Sequence, residues 1–140
     1  MSSDPREAAD RMHSASIHLL RRARREDSKS GTSAARLSAL SVLVFAGPKT
    51  VSALAGWERV KVPTMSRLVA AMEADGLVRK ARNGSDGRSV VLHPTAKGRR
   101  VLDRARDLRL STLATLFAGA SPAELETVRE AAAIVDRLVL

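Results

Sequence analysis

The 140-residue chain is long enough for one domain with a packing extension and a sizeable apolar core. Its 24 Lys and Arg against 15 Asp and Glu give a formal net charge of +9, which favours a polyanionic partner, either nucleic acid or an anionic membrane surface. The absence of cysteine excludes a disulfide framework, a thiolate zinc site and a thiol redox switch. The polar amino terminus is unlike a secretory signal and no apolar run approaches the ~20 residues that span a bilayer, so a soluble cytoplasmic protein is expected.

Residues 1–4 read as a tail. Asp4-Pro5 followed by Glu7 supplies an N-cap, a first-turn proline and a third-position acid, so a helix is expected to begin there. Its apolar side is Met12, Ala15, Ile17, Leu19, Leu20 and Ala23. It runs into Arg21, Arg22, Arg24 and Arg25, a cluster that either complements the helix end or touches phosphate. SKSGTS at 28–33 is loop chemistry. Ser33 then caps a second helix with Leu37, Leu40, Val44 and Phe45 inward, closed by Gly47-Pro48.

Thr50 caps a short helix, TVSALA, whose Val51, Leu54 and Ala55 face the core. The hydroxyls of Thr50 and Ser52 are candidates for phosphate contacts, or else an ordinary cap and a surface hydroxyl. A second short helix runs from Val62 to Gly76. Val62, Met65, Leu68, Val69 and Met72 recur at three- and four-residue steps and fall on one side. The other side carries Pro63, Thr64, Ser66, Arg67, Ala70, Ala71 and Ala74. Small residues, two hydroxyls and one arginine suit a helix that lies against another surface, such as the wall of a DNA groove. A helix packed on both sides in a core is the alternative, and Arg67 and the hydroxyls weigh against it.

After Gly76 the period changes. LVRKAR and SVVLH read as strands, joined by NGSDGR, whose Asn-Gly and Asp-Gly pairs tolerate positive φ, so a β-hairpin is expected. It carries Arg79, Lys80 and Arg82 on its first strand and Arg88 at its tip. Such a loop is either a solvated turn or a wing that reaches the flanking minor groove. Between Gly47 and Arg100 eleven Lys and Arg, Lys61 among them, face four Asp and Glu, so most of the excess charge lies on this segment.

From Thr95 the chain reads as helical again, with Val101, Leu102, Ala105, Leu108, Leu113, Leu116 and Phe117 forming an apolar stripe and the RRVLDRARDLR charges solvated opposite it. Gly119 ends that run. Ser121-Pro122-Ala123-Glu124 opens a last helix with a capping box, followed by Leu125, Val128, Ala132, Ile134, Val135, Leu138 and Val139. The terminal helices bring more apolar surface than a small winged core covers, which predicts dimerisation through them, with an intramolecular bundle as the alternative.

In element order nearly the whole chain resembles the MarR family of winged helix-turn-helix transcription regulators, with the specific motifs between residues 50 and 98. The resemblance rests on Leu54-Ala55, Pro63-Thr64-Met65-Ser66-Arg67-Leu68, Gly76-Leu77-Val78, Asp86-Gly87-Arg88 and Thr95-Ala96-Lys97-Gly98, in the family's order and spacing. It implies a mainly α fold with a small β-hairpin wing: a winged helix-turn-helix over 33–98, with a helical dimerisation region formed by 5–30 and 99–140. It also implies a homodimer on a pseudo-palindromic operator, because two recognition helices must meet major grooves about 34–36 Å apart. Pro63, Thr64, Ser66 and Arg67 map to the recognition helix and Arg88 to the wing arginine. Asp86 maps to the acid that shapes the wing by pairing with arginine.

Three positions depart from the pattern. Gly87 stands where relatives carry a further basic residue, His93-Pro94 replaces an apolar residue before Thr95, and Glu58 occupies a usually apolar place that Trp57 or Val60 is expected to fill. A buried Glu58 then needs a partner such as Arg59 or a lysine.

The function expected on these grounds is a DNA-binding transcription regulator, a repressor whose affinity changes when a small-molecule effector binds. The effector clause comes from the resemblance, with His13, His18, Arg21 and Trp57 as pocket candidates. The three histidines form no metal-ligand set, no cofactor is expected, and no phosphate loop, carboxylate pair or Ser/His/Asp order suggests an enzyme. The competing function is a sequence-indifferent architectural DNA-binding protein.

Overall fold

The computed structural model describes residues 4–82 and 89–140. Six helices and one hairpin follow in the order α1 (Pro5–Arg24), a 3-10 turn (Asp27–Ser30), α2 (Ala34–Phe45), α3 (Val51–Glu58), α4 (Val62–Ala74), β1 (Val78–Arg82), β2 (Val90–Pro94), α5 (Ala96–Phe117) and α6 (Pro122–Val139). This is the mainly helical winged-helix architecture expected. The hairpin tip, with Asp86 and Arg88, lies outside the described residues. The chain divides into two compact units, one comprising the chain up to Ala23 together with Leu110–Leu140, the other Arg24–Arg109.

Local chemistry sets the boundaries in the second unit. The Ser33 hydroxyl accepts the Arg36 N–H at the start of α2, and the Thr50 hydroxyl accepts the Ala53 N–H at the start of α3, each satisfying a donor that the first turn leaves over. Gly76, at φ +71, ends α4: its N–H returns to Glu73 C=O (3.0 Å) and that of Leu77 to Met72 C=O (2.9 Å). β1 and β2 pair antiparallel from Val78 opposite Pro94 to Arg82 opposite Val90. Lys49 pairs with the other edge of β2 through Leu92, so the segment before α3 is stitched to the hairpin.

The core of this unit joins Ala39, Leu40 and Leu43 of α2, Leu54 and Ala55 of α3, Met65, Val69 and Met72 of α4, and Leu77, Val78 and Leu92 of the hairpin. Each large side chain removed from water here contributes about 1.5–3 kcal/mol. Of the residues expected inward, Leu37 is buried and Val44 half-buried outside this cluster, and two are exposed. Phe45 is 77% exposed, because Leu43 takes the inward place on α2 and Phe45 falls on the helix's last turn. Val62 is exposed at the first position of α4, whose core contacts begin with Met65.

In the first unit, α6 opens with the expected capping box: the Ser121 hydroxyl accepts the Glu124 N–H and the Glu124 carboxylate accepts the Ser121 N–H (2.7 Å). That second bond holds the Glu124 carboxyl below its ordinary range. No residue of α6 is buried within a single chain, although Val128, Ile134, Leu138 and Val139 stand on it. No helix among the described residues is long and apolar enough to cross a membrane.

Candidate nucleic-acid interface

α4 is anchored by Met65, Val69 and Met72, all at most 1% exposed, and this fixes which side chains stay outside. Pro63, Thr64, Ser66, Arg67, Ala70 and Ala74 are exposed, while Ala71 is half-buried. The exposed strip is shallow, with Arg67 as its one long cation and the exposed Glu73 at its edge. Pro63 sits in the first turn, where its missing N–H costs no helical bond. Lys61 holds the N-cap position and makes no side-chain bond to the helix, so the first-turn amides of α4 are uncapped.

α3 packs on α4, which brings Thr50 and Ser52 into the same unit as the exposed strip. Thr50 is committed to capping α3, with its oxygen 3.1 Å from Ala53 N, whereas Ser52 is exposed. Arg79, Lys80 and Arg82 are exposed on β1, with Arg79 across from His93 and Arg82 across from Val90.

Charge pairing divides the cations of this unit into two sets. Arg36 pairs with Asp75, Lys29 with Glu26, and Arg109 with Asp27. Among the described residues Arg59, Lys61, Arg67, Arg79 and Lys80 form no ion pair. Of the nearby carboxylates Asp75 is held by Arg36 and Glu58, half-buried, by the Ser38 hydroxyl at 2.7 Å, while Glu73 stands exposed on α4. Glu58 is therefore neither paired with Arg59 nor replaced in the core. Trp57 is 60% exposed and Val60 is exposed too. A hydroxyl from α2 satisfies the carboxylate without bringing a second charge.

The pocket candidates fall into different units. His13, His18 and Arg21 are exposed along α1 in the first unit. Trp57 belongs to the second, where the Lys49 ammonium lies 4.8 Å from its ring centroid. A cavity of about 310 Å³ lies instead between α2 and α5, with Leu37, Ser38, Ser41 and Phe45 on one wall and Leu102, Arg106 and Arg109 on the other. Arg109 was expected among solvated charges, yet it forms a two-pronged bond with the buried Asp27, Nε to Oδ1 at 2.7 Å and Nη2 to Oδ2 at 2.8 Å. The hydrogen bond to Asp27 raises the Arg109 pKa against the opposing effect of burial. The sequence signal for this wall is the spacing of Leu102, Ala105, Arg106 and Arg109, which places the arginines on the apolar stripe and not across from it.

A sequence profile of the MarR family matches residues 33–90. The chain is 34% identical to an uncharacterized HTH-type transcriptional regulator of Mycobacterium bovis, over 99% of this chain and 96% of that one. It belongs to the MarR family. The transcriptional regulator Tm0710 from Thermotoga maritima has the same fold, with a TM-score of 0.80 at 20% identity, covering 94% of this chain and 96% of that one. So does a MarR family protein from Bacillus stearothermophilus, with a TM-score of 0.78 at 22% identity over 97% of both. In this MarR chain the family profile covers α2, α3, α4 and β1 and stops at the first residue of β2, so it spans the elements that carry the exposed strip and the unpaired cations.

Proposed function

We propose that this MarR-family chain is a sequence-specific DNA-binding transcription regulator, acting in the cytoplasm as a repressor and not as an enzyme. The observation that carries the reading is the outer strip of α4. Thr64, Ser66 and Arg67 stand exposed among alanines on a helix pinned from behind, flanked by cations with no internal partner. A major groove admits such a helix, and arginine and hydroxyl groups read its base edges. Pro63, Thr64, Ser66 and Arg67 face the bases in this reading, Thr50, Ser52 and Lys61 the phosphates, and Arg79, Arg82 and Arg88 the flanks through the wing that Asp86 shapes.

The protein acts as a homodimer on a pseudo-palindromic operator. Support comes from α6, no residue of which is fully buried within one chain, and from the exposed Met12, Ile17 and Leu20 of α1 in the same unit. Residues 5–30 and 99–140 supply the dimerising helices, and 33–98 the DNA-binding region. A small-molecule effector tunes affinity. The cavity between α2 and α5, with apolar walls, two serines, Arg106 and Asp103, suits a small molecule with an apolar body and polar groups better than the exposed His13, His18, Arg21 and Trp57 do.

The test is binding to the protein's own upstream intergenic DNA and to random DNA across a salt series, with mass measurement in solution. A preference of ~10³-fold or more and a dimer mass are expected. Equal affinities that both collapse with salt would favour an architectural protein.

A further inference from the structure

Three hydroxyls follow one another where the 3-10 turn leads into α2, and the fold uses two of them. The Ser30 hydroxyl donates to Asp27 C=O (2.5 Å), and the Ser33 hydroxyl accepts the Arg36 N–H (3.3 Å). Thr32 Oγ1 lies between them, buried and without a hydrogen-bond partner. It is the one side-chain nitrogen or oxygen so placed among the described residues. A buried polar atom left unsatisfied costs stability, so a fold that keeps one calls for an explanation.

Thr32 lines a cavity of about 390 Å³ within the second unit, apart from the one between α2 and α5. Its other walls include Arg36 in the first turn of α2, Asp75 at the end of α4, Leu77, and Lys97 and Val101 on α5. Asp75 is the only acid among these residues, and its carboxylate is already engaged by Arg36 Nη1. The Lys97 ammonium donates to Asp75 C=O (2.8 Å) and forms no ion pair among the described residues. One positive charge is therefore left without a counter-charge on the cavity wall. The groups with bonding capacity to spare are donors: two N–H of Lys97, the Arg36 nitrogens that Asp75 leaves over, and the Thr32 hydroxyl.

We propose that this cavity binds free phosphate, held by the Lys97 ammonium, the outer nitrogens of Arg36 and the Thr32 hydroxyl. A compact ammonium and a guanidinium edge suit a small tetrahedral oxyanion, and the hydroxyl gains there the bond that the fold does not give it. The site is not part of the strip that faces DNA. Asp75 and Pro63 stand at opposite ends of α4, about 18 Å apart along its axis. Nothing in the assignment depends on DNA binding.

The experiment is calorimetric titration of sodium phosphate into wild type, Thr32→Val, Thr32→Ser and Lys97→Met, with ionic strength held constant by sodium chloride, alongside thermal melts in chloride alone. Wild type is expected to bind phosphate saturably. Thr32→Val keeps the shape and removes the unpartnered oxygen, so it should melt no lower than wild type yet bind phosphate about tenfold more weakly. Thr32→Ser, which restores a hydroxyl, should bind like wild type. Lys97→Met should also lose about tenfold or more. No saturable binding by wild type, wild-type affinity in Thr32→Val or Lys97→Met, or a markedly lower melting temperature for Thr32→Val would each overturn the assignment. A DNA duplex that displaced the phosphate would overturn it too, because the ion would then sit on the DNA-facing surface.

Discussion

Gly98 and Leu77 approach so closely that a methyl group on Gly98 would collide with the Leu77 carbonyl oxygen. The same carbonyl accepts the Thr95 N–H (3.0 Å), while the Thr95 hydroxyl accepts the Gly98 N–H (3.0 Å) and donates to Gly76 C=O. The root of the hairpin and the start of α5 therefore share one tight backbone contact. Gly98→Ala forces it apart and also presses on Leu40, 3.1 Å from the added carbon. A loss of about 1–3 kcal/mol is expected. Urea unfolding measures it, and a variant as stable as wild type would show that α5 can shift without cost.

The Asp27–Arg109 pair predicts an asymmetry. Asp27 is 6% exposed, whereas Arg109 reaches solvent with about a third of its side chain. Asp27→Asn leaves an arginine that can turn to water, so about 1–3 kcal/mol is expected. Arg109→Ala strands a buried carboxylate and should cost more, about 3–5 kcal/mol. Equal losses in paired unfolding curves would mean that the acid is less enclosed than it stands here.

Arg67→Ala should lower affinity for the operator by about 1–3 kcal/mol while leaving random-DNA binding nearly unchanged. Titration of both duplexes by fluorescence anisotropy decides this. Equal losses would move Arg67 from base reading to phosphate contact.

Glu124 gives a pH prediction. Its carboxyl is held below the ordinary range by the Ser121 N–H, so its folded value lies under its unfolded one. Its stabilisation is complete above the unfolded value and is lost as pH falls through the folded one. Thermal melts of wild type should therefore decline with acid more steeply than those of Glu124→Gln. Ser121→Ala, which removes the hydroxyl half of the cap and keeps the backbone N–H, should cost about 1 kcal/mol at neutral pH. Parallel acid profiles would contradict the reciprocal cap.

What could be read from the sequence was local. The Ser121-to-Glu124 box, Gly76 after α4 and the Met65, Val69 and Met72 stripe are each set by neighbours within one or two turns, so periodicity and cap chemistry suffice. Phe45 and Val62 were misplaced for a related reason: at a helix end the stripe still runs on in sequence after the packing has stopped. The bonds from Ser38 to Glu58 and from Asp27 to Arg109 span 20 and 82 residues, and no spacing rule predicts them.

Trp57 gives the chain a built-in optical gauge. It is the single tryptophan and there is no tyrosine, so nearly all near-ultraviolet absorption and emission arises at one place on α3. Its indole is largely open to water and lies under the Lys49 ammonium, on a residue also tied by backbone bonds to Leu92 of the hairpin. Any event that draws the hairpin away from α3 lifts a positive charge from the face of the fluorophore, so wing movement becomes readable as light without an attached dye.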